Sequence, residues 1–242
     1  RPMSRRLDGL LARLRARLAS PRAGLLAVLL SVVVVASSIG AGIAADDHFH
    51  ALSLGSDPRW AAIHEPWWKL FTFYDGDPAR TRFYVEHGLS IWWTDPHLVA
   101  AFFRPVSAAT HLLDARLWPT VPWLMHLHSI AWYAALVHVA AWAYRRLFAD
   151  HAKPAGAWVP GLAAVLFGFD HNHAMCVGWI ANRNAVVAGV FAIACVGAHH
   201  LAAREPSRRL TWACVAALSF ALALGSGESG LGTAGFLAAH AL

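Results

Sequence analysis

Long apolar runs separated by polar segments make up most of this 242-residue chain. The first run, 24–45, contains no charged residue. Five further runs follow, near 121–148, 157–169, 185–203, 210–224 and 230–242. Because about 20 apolar residues in a helix cross a bilayer, the pattern predicts an all-α, polytopic helical bundle in a membrane. The last run stops without a polar exit, so we expect the chain to be the front part of a longer protein.

The N-terminal segment, 1–22, has a different pattern. Leucines recur in it at helical spacing, with arginines interleaved. This spacing predicts a basic amphipathic helix that lies on an anionic cytoplasmic leaflet. A secretory signal also begins with basic residues, but the apolar run after Arg22 is too long for the hydrophobic region of a signal. We therefore expect this run to be retained as the first span.

A long polar segment, 46–119, separates the first two apolar runs. It is rich in Trp, Asp, Gly and Pro, and no window within it is apolar enough to cross a bilayer. Within it, 66–74 and 97–114 are predicted to form short helices on the membrane surface. Because loops of this length are usually functional, we expect this segment to contribute to a site.

Composition supports a membrane protein and excludes some partners. Hydrophobic residues make up 57% of the chain and charged residues 14%; ordinary soluble domains are about 25% charged. The net charge is +6, but the basic residues flank the apolar runs, so we expect no nucleic-acid partner. The three cysteines are far apart, which argues against a disulfide framework and a CxxC metal site.

The distribution of basic residues predicts the topology. Most of the 20 lysines and arginines lie in the N-terminal segment, in 145–153 and in 204–209. If each apolar run crosses the membrane, these three segments share one side, which the positive-inside rule makes cytoplasmic. The segments 46–119 and 170–184, together with Glu228, then lie on the extracytoplasmic side of the inner (plasma) membrane.

The stretch Asp46-Asp47-His48-Phe49-His50 follows directly on the first apolar run. Carboxylates at a membrane surface are stable only when they are hydrated, paired or bound to a metal. They also act as general bases or hold a cation that neutralises phosphate. Asp46 and Asp47 are therefore candidate catalytic residues. His48 and His50 are candidate ligands of a divalent metal such as Mg²⁺ or Mn²⁺, and this pair needs an extended backbone to face one ion. The alternative is a hydrated helix end.

Further acids, imidazoles and arginines are predicted on the same side. They are Arg104, His111, Asp114, Asp170, His171, His173, Arg183 and Glu228. Arginines bind phosphate oxygens in bidentate fashion, and a carboxylate can deprotonate an incoming hydroxyl, so this combination suits a lipid-linked phosphate substrate. Two simpler alternatives stay open. Arg183 would snorkel to lipid phosphate, and Arg104 would fix the loop by pairing with Asp95 or Asp114.

Two stretches of the chain resemble motifs of GT-C fold glycosyltransferases. Arg104-Pro105, with Thr110-His111-Leu112-Leu113-Asp114 and Leu117-Trp118, resembles a surface helix of the pattern RP…LDxxLW. The segment from Leu166 to Ala185 resembles the hairpin pattern LFxxHPxHxxxVxWIxxRxxxL. The chain is most similar to the polytopic O-mannosyltransferase-like proteins that often carry tetratricopeptide repeats, and to their bacterial relatives.

The resemblance implies an activity and roles for several residues. Such enzymes transfer a sugar from a polyprenyl-phosphate donor to a hydroxyl acceptor on a protein, lipid or glycan, with inversion, on the extracytoplasmic face. By the resemblance, Asp46 or Asp47 is the base that acts on the acceptor, and Arg183 and Arg104 bind the donor phosphate. The other implied substrate-binding residues are His173, His171, Asp170 and Glu228.

The resemblance covers about 46–230. Within this region, the sequence differs from the family pattern at two positions. Asn172 stands where the hairpin usually has proline. Gly227 stands where the family has the lysine of a Lys-Glu pair, so that only Glu228 of the pair is present.

Two other functions fit parts of the pattern. His126 and His138, in the second apolar run, would supply the axial ligands of a haem-binding electron carrier. However, their spacing does not put two haems on one helix face, and the fourth run has no matching pair. A transporter or a non-enzymatic assembly protein would place its important groups near the bilayer midplane.

Overall fold

The computed structural model describes residues 2–149 and 156–241, most of which are helical. The helices, numbered in chain order, are α1 Pro2–Ala19, α2 Ala23–Val35, α3 Asp46–Leu54, α4 Pro78–Glu86, α5 Pro105–Leu117, α6 Pro122–Leu147, α7 Val159–Gly168, α8 His173–Gly178, α9 Arg183–Arg204, α10 Arg209–Ser226 and α11 Gly232–Ala241. The strands are β1 Thr72–Asp75 and β2 Val99–Ala101. The chain is therefore mainly α-helical, as the apolar runs predict.

Four helical segments in the described part of the chain are long and apolar enough to cross a membrane. They are Ala23–Gly40, Pro122–Leu147, Ile180–Arg204 and Pro206–Ser226. These segments correspond to the first, second, fourth and fifth predicted runs and are compatible with a membrane protein. The third and sixth runs form α7 and α11, which have ten residues each and are about 15 Å long.

Helix α6 lies at the centre of the bundle and packs against α2, α7 and α9. Its buried face includes Tyr133, Leu136 and Val137. A Cβ atom on Gly189 of α9 would lie 3.1 Å from the side chain of Leu136, and one on Gly197 would overlap the ring of Trp142. Glycines at these crossings allow the two helices to approach closely. Since both contacts advance in the same direction along the chain, α6 and α9 are parallel.

The bundle has two chemically different ends. Arg145, near the end of α6, donates a hydrogen bond to the carbonyl oxygen of Pro21, just before α2 (2.7 Å). Helix α9 ends on the same side because it runs parallel to α6. The end of the N-terminal segment, the end of α6 and the end of α9 therefore share this end, which we call the basic end; Arg1 and Lys153 of the predicted basic segments lie outside the described residues. We call the opposite end, where α6 and α9 begin, the site end.

Helix α1 covers most of the segment that is predicted to form a basic amphipathic helix. Leu7, Leu10, Leu11 and Leu14 are exposed, whereas Leu18 is buried against the bundle. An exposed apolar face on an arginine-rich helix is typical of helices that lie in a membrane interface.

The segment 46–119 forms a layer at the site end. Strands β1 and β2 are antiparallel, with Thr72 opposite Ala101 and Asp75 opposite Val99. The run Thr-Phe-Tyr in β1 favours a strand because β-branched and aromatic side chains fit a pleated surface.

Two predictions for this segment are wrong in detail. The predicted helix at 66–74 is a single 3₁₀ turn, Trp67–Lys69, followed by β1. The predicted helix at 97–114 starts only at Pro105, because β2 occupies its first part. Proline is favoured in the first turn of a helix, where its missing N–H is not needed. The protein is therefore not all-α, since its site-end layer includes a two-stranded sheet.

Gly161 of α7 allows the end of α1 to approach closely. A Cβ atom at this position would lie 2.1 Å from the carbonyl oxygen of Leu18, which is a backbone atom. We expect Gly161→Ala to destabilise the protein by about 1–3 kcal/mol through overpacking. Gly235→Ala in α11 is the matched control, because no atom lies within 4 Å of its Cβ position and alanine favours helix. Thermal unfolding in one detergent would compare them, and equal midpoints would contradict the prediction.

Candidate active site

A cavity of about 520 Å³ lies at the site end, between α3, α5 and the beginning of α6. The ionisable residues in its lining are Asp47, His50, His111 and Asp114. Much of the remaining wall is apolar and includes Ile43, Leu54, Met125 and Ile180. The cavity therefore combines carboxylates and imidazoles with an apolar wall at the end of a helical bundle.

Asp47 lies in the first turn of α3 and is only 6% exposed. Its Oδ1 accepts a hydrogen bond from the backbone N–H of Ala181 (2.6 Å), and its Oδ2 accepts one from the N–H of Ala44 (3.0 Å). Ala45, just before α3, has a φ of +46°, which non-glycine residues rarely adopt and which often marks functional sites. Burial raises the pKa of the Asp47 carboxyl, and the two backbone hydrogen bonds offset part of this shift. Asp47 is thus a fixed, desolvated carboxylate.

Asp46 has a different environment from its neighbour. It is half-buried and lies outside the lining of the cavity. Burial and the adjacent charge of Asp47 both raise the pKa of the Asp46 carboxyl. Of the two candidate bases, only Asp47 faces the cavity.

Two buried imidazoles meet in the cavity wall. The rings of His50 and His111 have centroids 5.0 Å apart, and the two residues are 4% and 5% exposed. The ring of Phe71 contacts both. Burial, together with the charges of Arg104 and Arg183, lowers the pKa of His50 to about 3. Burial and the charge of Arg183 also lower the pKa of His111 well below its usual value. Both imidazoles are therefore neutral near pH 7.

Arg183 is fully buried at the beginning of α9. Its Nη2 lies 2.6 Å from Oδ2 of Asp114 and donates to the carbonyl oxygen of Met125 (2.8 Å). Its Nε donates to the hydroxyl of Ser129 (2.9 Å). Oδ1 of Asp114 lies 2.7 Å from Nδ1 of His128. Arg183 thus joins α5, α6 and α9 through a buried ion pair, and its guanidinium does not reach the surface to meet a phosphate or to snorkel.

Arg104 and Glu228, both predicted to contact substrate, are paired with each other. The Nε and Nη2 atoms of Arg104 donate to Oε2 of Glu228 at 2.9 and 2.6 Å. The guanidinium also lies over the ring of Phe102, 4.5 Å from its centroid. The partner of Arg104 therefore differs from the two alternatives that the sequence suggests, Asp95 and Asp114. Because the Glu228 side chain is 55% exposed, this pair remains accessible at the site end.

The hairpin turn that contains three predicted substrate-binding residues lies farther along α6 from the site end than Arg183, and its Asp170 and His171 side chains are exposed. These residues are Asp170, His171 and His173. The hydroxyl of Tyr133, near the middle of α6, donates to the carbonyl oxygen of Gly168 (2.6 Å) and lies 3.4 Å from Nδ1 of His173. Arg183 contacts α6 one to two turns closer to its beginning, which is about 6–12 Å at a rise of ~1.5 Å per residue. The turn does not line the cavity that contains Asp47.

The predicted metal and haem ligands are not brought together. His48 is exposed and His50 is buried, because residues two apart on a helix point in different directions. Within residues 2–149 and 156–241, no group of three or more His, Cys, Asp or Glu side chains is arranged to hold a metal ion. Nε2 of His126 lies 2.6 Å from the carbonyl oxygen of Gly42, and His138 is exposed on the same helix.

Some of the contacts around the buried Arg183–Asp114 pair could be predicted from the sequence, and others could not. Asp114 and Trp118 are four residues apart on one helix face, and the indole N–H donates to Asp114 Oδ1 (3.2 Å). The two motifs predict that Asp114 and Arg183 lie on the same side of the membrane. They do not predict the ion pair between these residues. Ser129 and His128 lie in an apolar run, where their roles as partners of Arg183 and Asp114 have no signal.

Comparisons with known proteins add no relative. No protein-family model, no curated protein and no solved structure matches this chain.

Proposed function

We propose that this protein transfers a sugar from a polyprenyl-phosphate donor to a hydroxyl group of a protein, lipid or glycan. The observation that carries the proposal is the position of Asp47. Its carboxylate is buried in the wall of a cavity at the end of a bundle of membrane-compatible helices, and two backbone N–H groups hold it.

Asp47 is the general base in this proposal. Each of its oxygens accepts one backbone hydrogen bond and keeps a lone pair for a substrate. The acceptor hydroxyl gives its proton to the carboxylate, and its oxygen forms the new bond to the anomeric carbon. The old bond between that carbon and the phosphate oxygen breaks, with its electron pair remaining on the phosphate. The raised pKa of Asp47 makes it a stronger base than an exposed carboxylate.

The surroundings of the cavity suit a lipid-linked donor. Its apolar wall includes Met125 and Ile180, which lie near the beginnings of two of the membrane-compatible helical segments, and an isoprenoid chain would lie along these helices. Arg104 is the arginine that we assign to the phosphate. Its partner Glu228 is exposed, so that a phosphate group can take the place of the Glu228 carboxylate. Arg183 is instead a positioning residue, since its guanidinium is occupied by Asp114.

The proposed orientation follows from the charges at the two ends. The basic end would lie in the cytoplasm and the site end on the extracytoplasmic side of the plasma membrane. Donor and acceptor would then meet outside the cytoplasm.

The proposal is tested with the purified chain in vesicles that contain short-chain polyprenyl phosphates carrying mannose or glucose. We expect saturable binding of a sugar-bearing lipid and release of sugar-free polyprenyl phosphate when a panel of hydroxylated peptides and glycosides is added. Asp47→Asn should keep the binding and lose the release. Absence of binding to every sugar-bearing lipid would overturn the proposal.

A transport role is the second candidate, and one observation favours it. His173 lies beside Tyr133, near the middle of α6, and Asp170 is three residues away in the same turn. Ionisable groups near the middle of membrane helices are typical of transport pathways. In a transporter, Asp170→Asn would abolish movement of a fluorescent polyprenyl phosphate across the vesicle membrane. In the proposed transferase, the same variant would keep the Asp47-dependent release.

A further inference from the structure

The imidazole pair in the cavity has hydrogen-bonding groups that find no partner in the described part of the chain. Both ring nitrogens of His50 and Nε2 of His111 are buried and have no partner among the described residues. Buried polar atoms in proteins are nearly always hydrogen-bonded, and leaving one unpaired lowers stability. Since both residues line the same cavity as Asp47, a bound molecule is the natural source of the missing partners.

We propose that His50 and His111 form a subsite for uncharged hydroxyl groups and that the transferred sugar of the donor fills it. This inference rests on the proposed function and adds to it the residues that recognise the sugar. Each neutral imidazole has one N–H donor and one acceptor nitrogen, and a sugar hydroxyl also donates and accepts. The two rings, with centroids 5.0 Å apart, can contact neighbouring hydroxyls of one sugar ring.

The charges around the pair favour a neutral ligand. Arg104 and Arg183 are close enough to disfavour a positive charge on His50, and the same field disfavours a metal ion beside it. Neutral imidazoles give a phosphate no charge to pair with. Arg104 lies outside the cavity lining, 5.0 Å from the centroid of the Phe71 ring that contacts both imidazoles, and its partner Glu228 is exposed. The sugar would therefore lie deeper than the phosphate, beside the carboxylate of Asp47.

The experiment compares two probes that differ only in the sugar. Short-chain polyprenyl-phosphate mannose and the sugar-free polyprenyl phosphate are titrated into the purified protein in detergent, and binding is followed by calorimetry. The variants are His50→Phe and His111→Phe, with His48→Phe as a matched control on the exposed face of the same helix. Methyl mannoside, which has no phosphate, is added as a third probe for an acceptor-like ligand.

We expect the wild-type protein and His48→Phe to bind the mannosyl lipid about tenfold or more tightly than the sugar-free lipid, the worth of one or two hydrogen bonds. Each cavity variant should lose this preference and keep its affinity for the sugar-free lipid. The ligand-free cavity variants should unfold at the same or a higher temperature than the wild-type protein, because phenylalanine removes unpaired polar atoms. A purely structural role for the histidines predicts lower unfolding temperatures.

The two failures can be distinguished. If the wild-type protein binds both lipids equally, or if the variants keep the preference, the subsite assignment is overturned while phosphate-lipid binding stands. If the variants lose only methyl mannoside binding, the pair serves the acceptor and the assignment to the donor sugar is wrong. If the wild-type protein binds no polyprenyl phosphate with a sugar, the proposed function fails and the subsite fails with it.

Discussion

Asp47→Asn is expected to lower the rate of sugar transfer about 100- to 10,000-fold, the usual contribution of a general base. An amide cannot take the proton of the acceptor, although it has nearly the same shape as the carboxylate. Donor binding should change little, because Asp47 acts on the acceptor. The measurement is release of polyprenyl phosphate from the sugar-bearing lipid in vesicles, with calorimetry of donor binding on the same preparations.

Asp46→Asn is the matched control for this variant. Asp46 carries the same charge one residue away, but it lies outside the cavity lining. We expect its effect on the rate to stay below about tenfold, since it removes only a nearby charge. Thermal unfolding of both variants separates misfolding from loss of chemistry. If both variants transferred sugar as fast as the wild-type protein, neither carboxylate would be the base.

The pH dependence gives an independent test of the same group. Because burial raises the folded-state pKa of Asp47 above the usual 3.8, its carboxylate becomes protonated at a higher pH than an exposed aspartate. The base is lost as the pH falls through this raised pKa, so kcat/KM should decrease on the acid side and level off above it. The residual activity of Asp47→Asn should lack this acid limb. An unchanged limb in the variant would assign the titration to another group.

The apolar runs predict the bundle well because membrane helices need little beyond length and apolar composition. They also predict that the basic segments share one end, and the hydrogen bond from Arg145 to Pro21 agrees with that arrangement. Helix α3 has a similar local signal, since Asp46 and Asp47 stand in its first turn, where the helix dipole favours negative charge. A metal site formed by His48 and His50 requires an extended backbone at these residues. They lie instead in helix α3, where the two side chains point in different directions.

The site could not be predicted to the same extent, because its contacts join residues that are far apart in sequence. Asp47 is held by the backbone of Ala181, and a backbone donor has no signature in the side-chain sequence. The guanidinium of Arg183 has the chemistry of a phosphate ligand. Whether it faces a cavity or an internal carboxylate is decided by tertiary packing, which the sequence pattern does not show. The position of the Asp170 turn along the bundle depends on the length of α7. This helix has only ten residues, too few to cross a bilayer, and it ends at Gly168 beside Tyr133.

The second large effect is expected at the buried ion pair. Arg183→Met removes the partner of Asp114 and leaves a buried carboxylate without its guanidinium. Breaking a buried pair from one side costs about 3–5 kcal/mol, so the unfolding temperature of the variant in detergent should fall sharply. Arg104→Met is the matched control, because its partner Glu228 is exposed, and removing an exposed pair costs about 0–1 kcal/mol.

The double variant Arg183→Met with Asp114→Leu separates the cost of an unpaired charge from the value of the pair. Replacing both partners of a buried pair by apolar residues is often neutral or stabilising. We therefore expect the double variant to recover much of the stability that Arg183→Met loses. Its rate of transfer should stay low, because the network no longer fixes α5 and the beginning of α9 around Asp47. Recovered stability together with full activity would show that Arg183 and Asp114 serve folding alone and do not position the base.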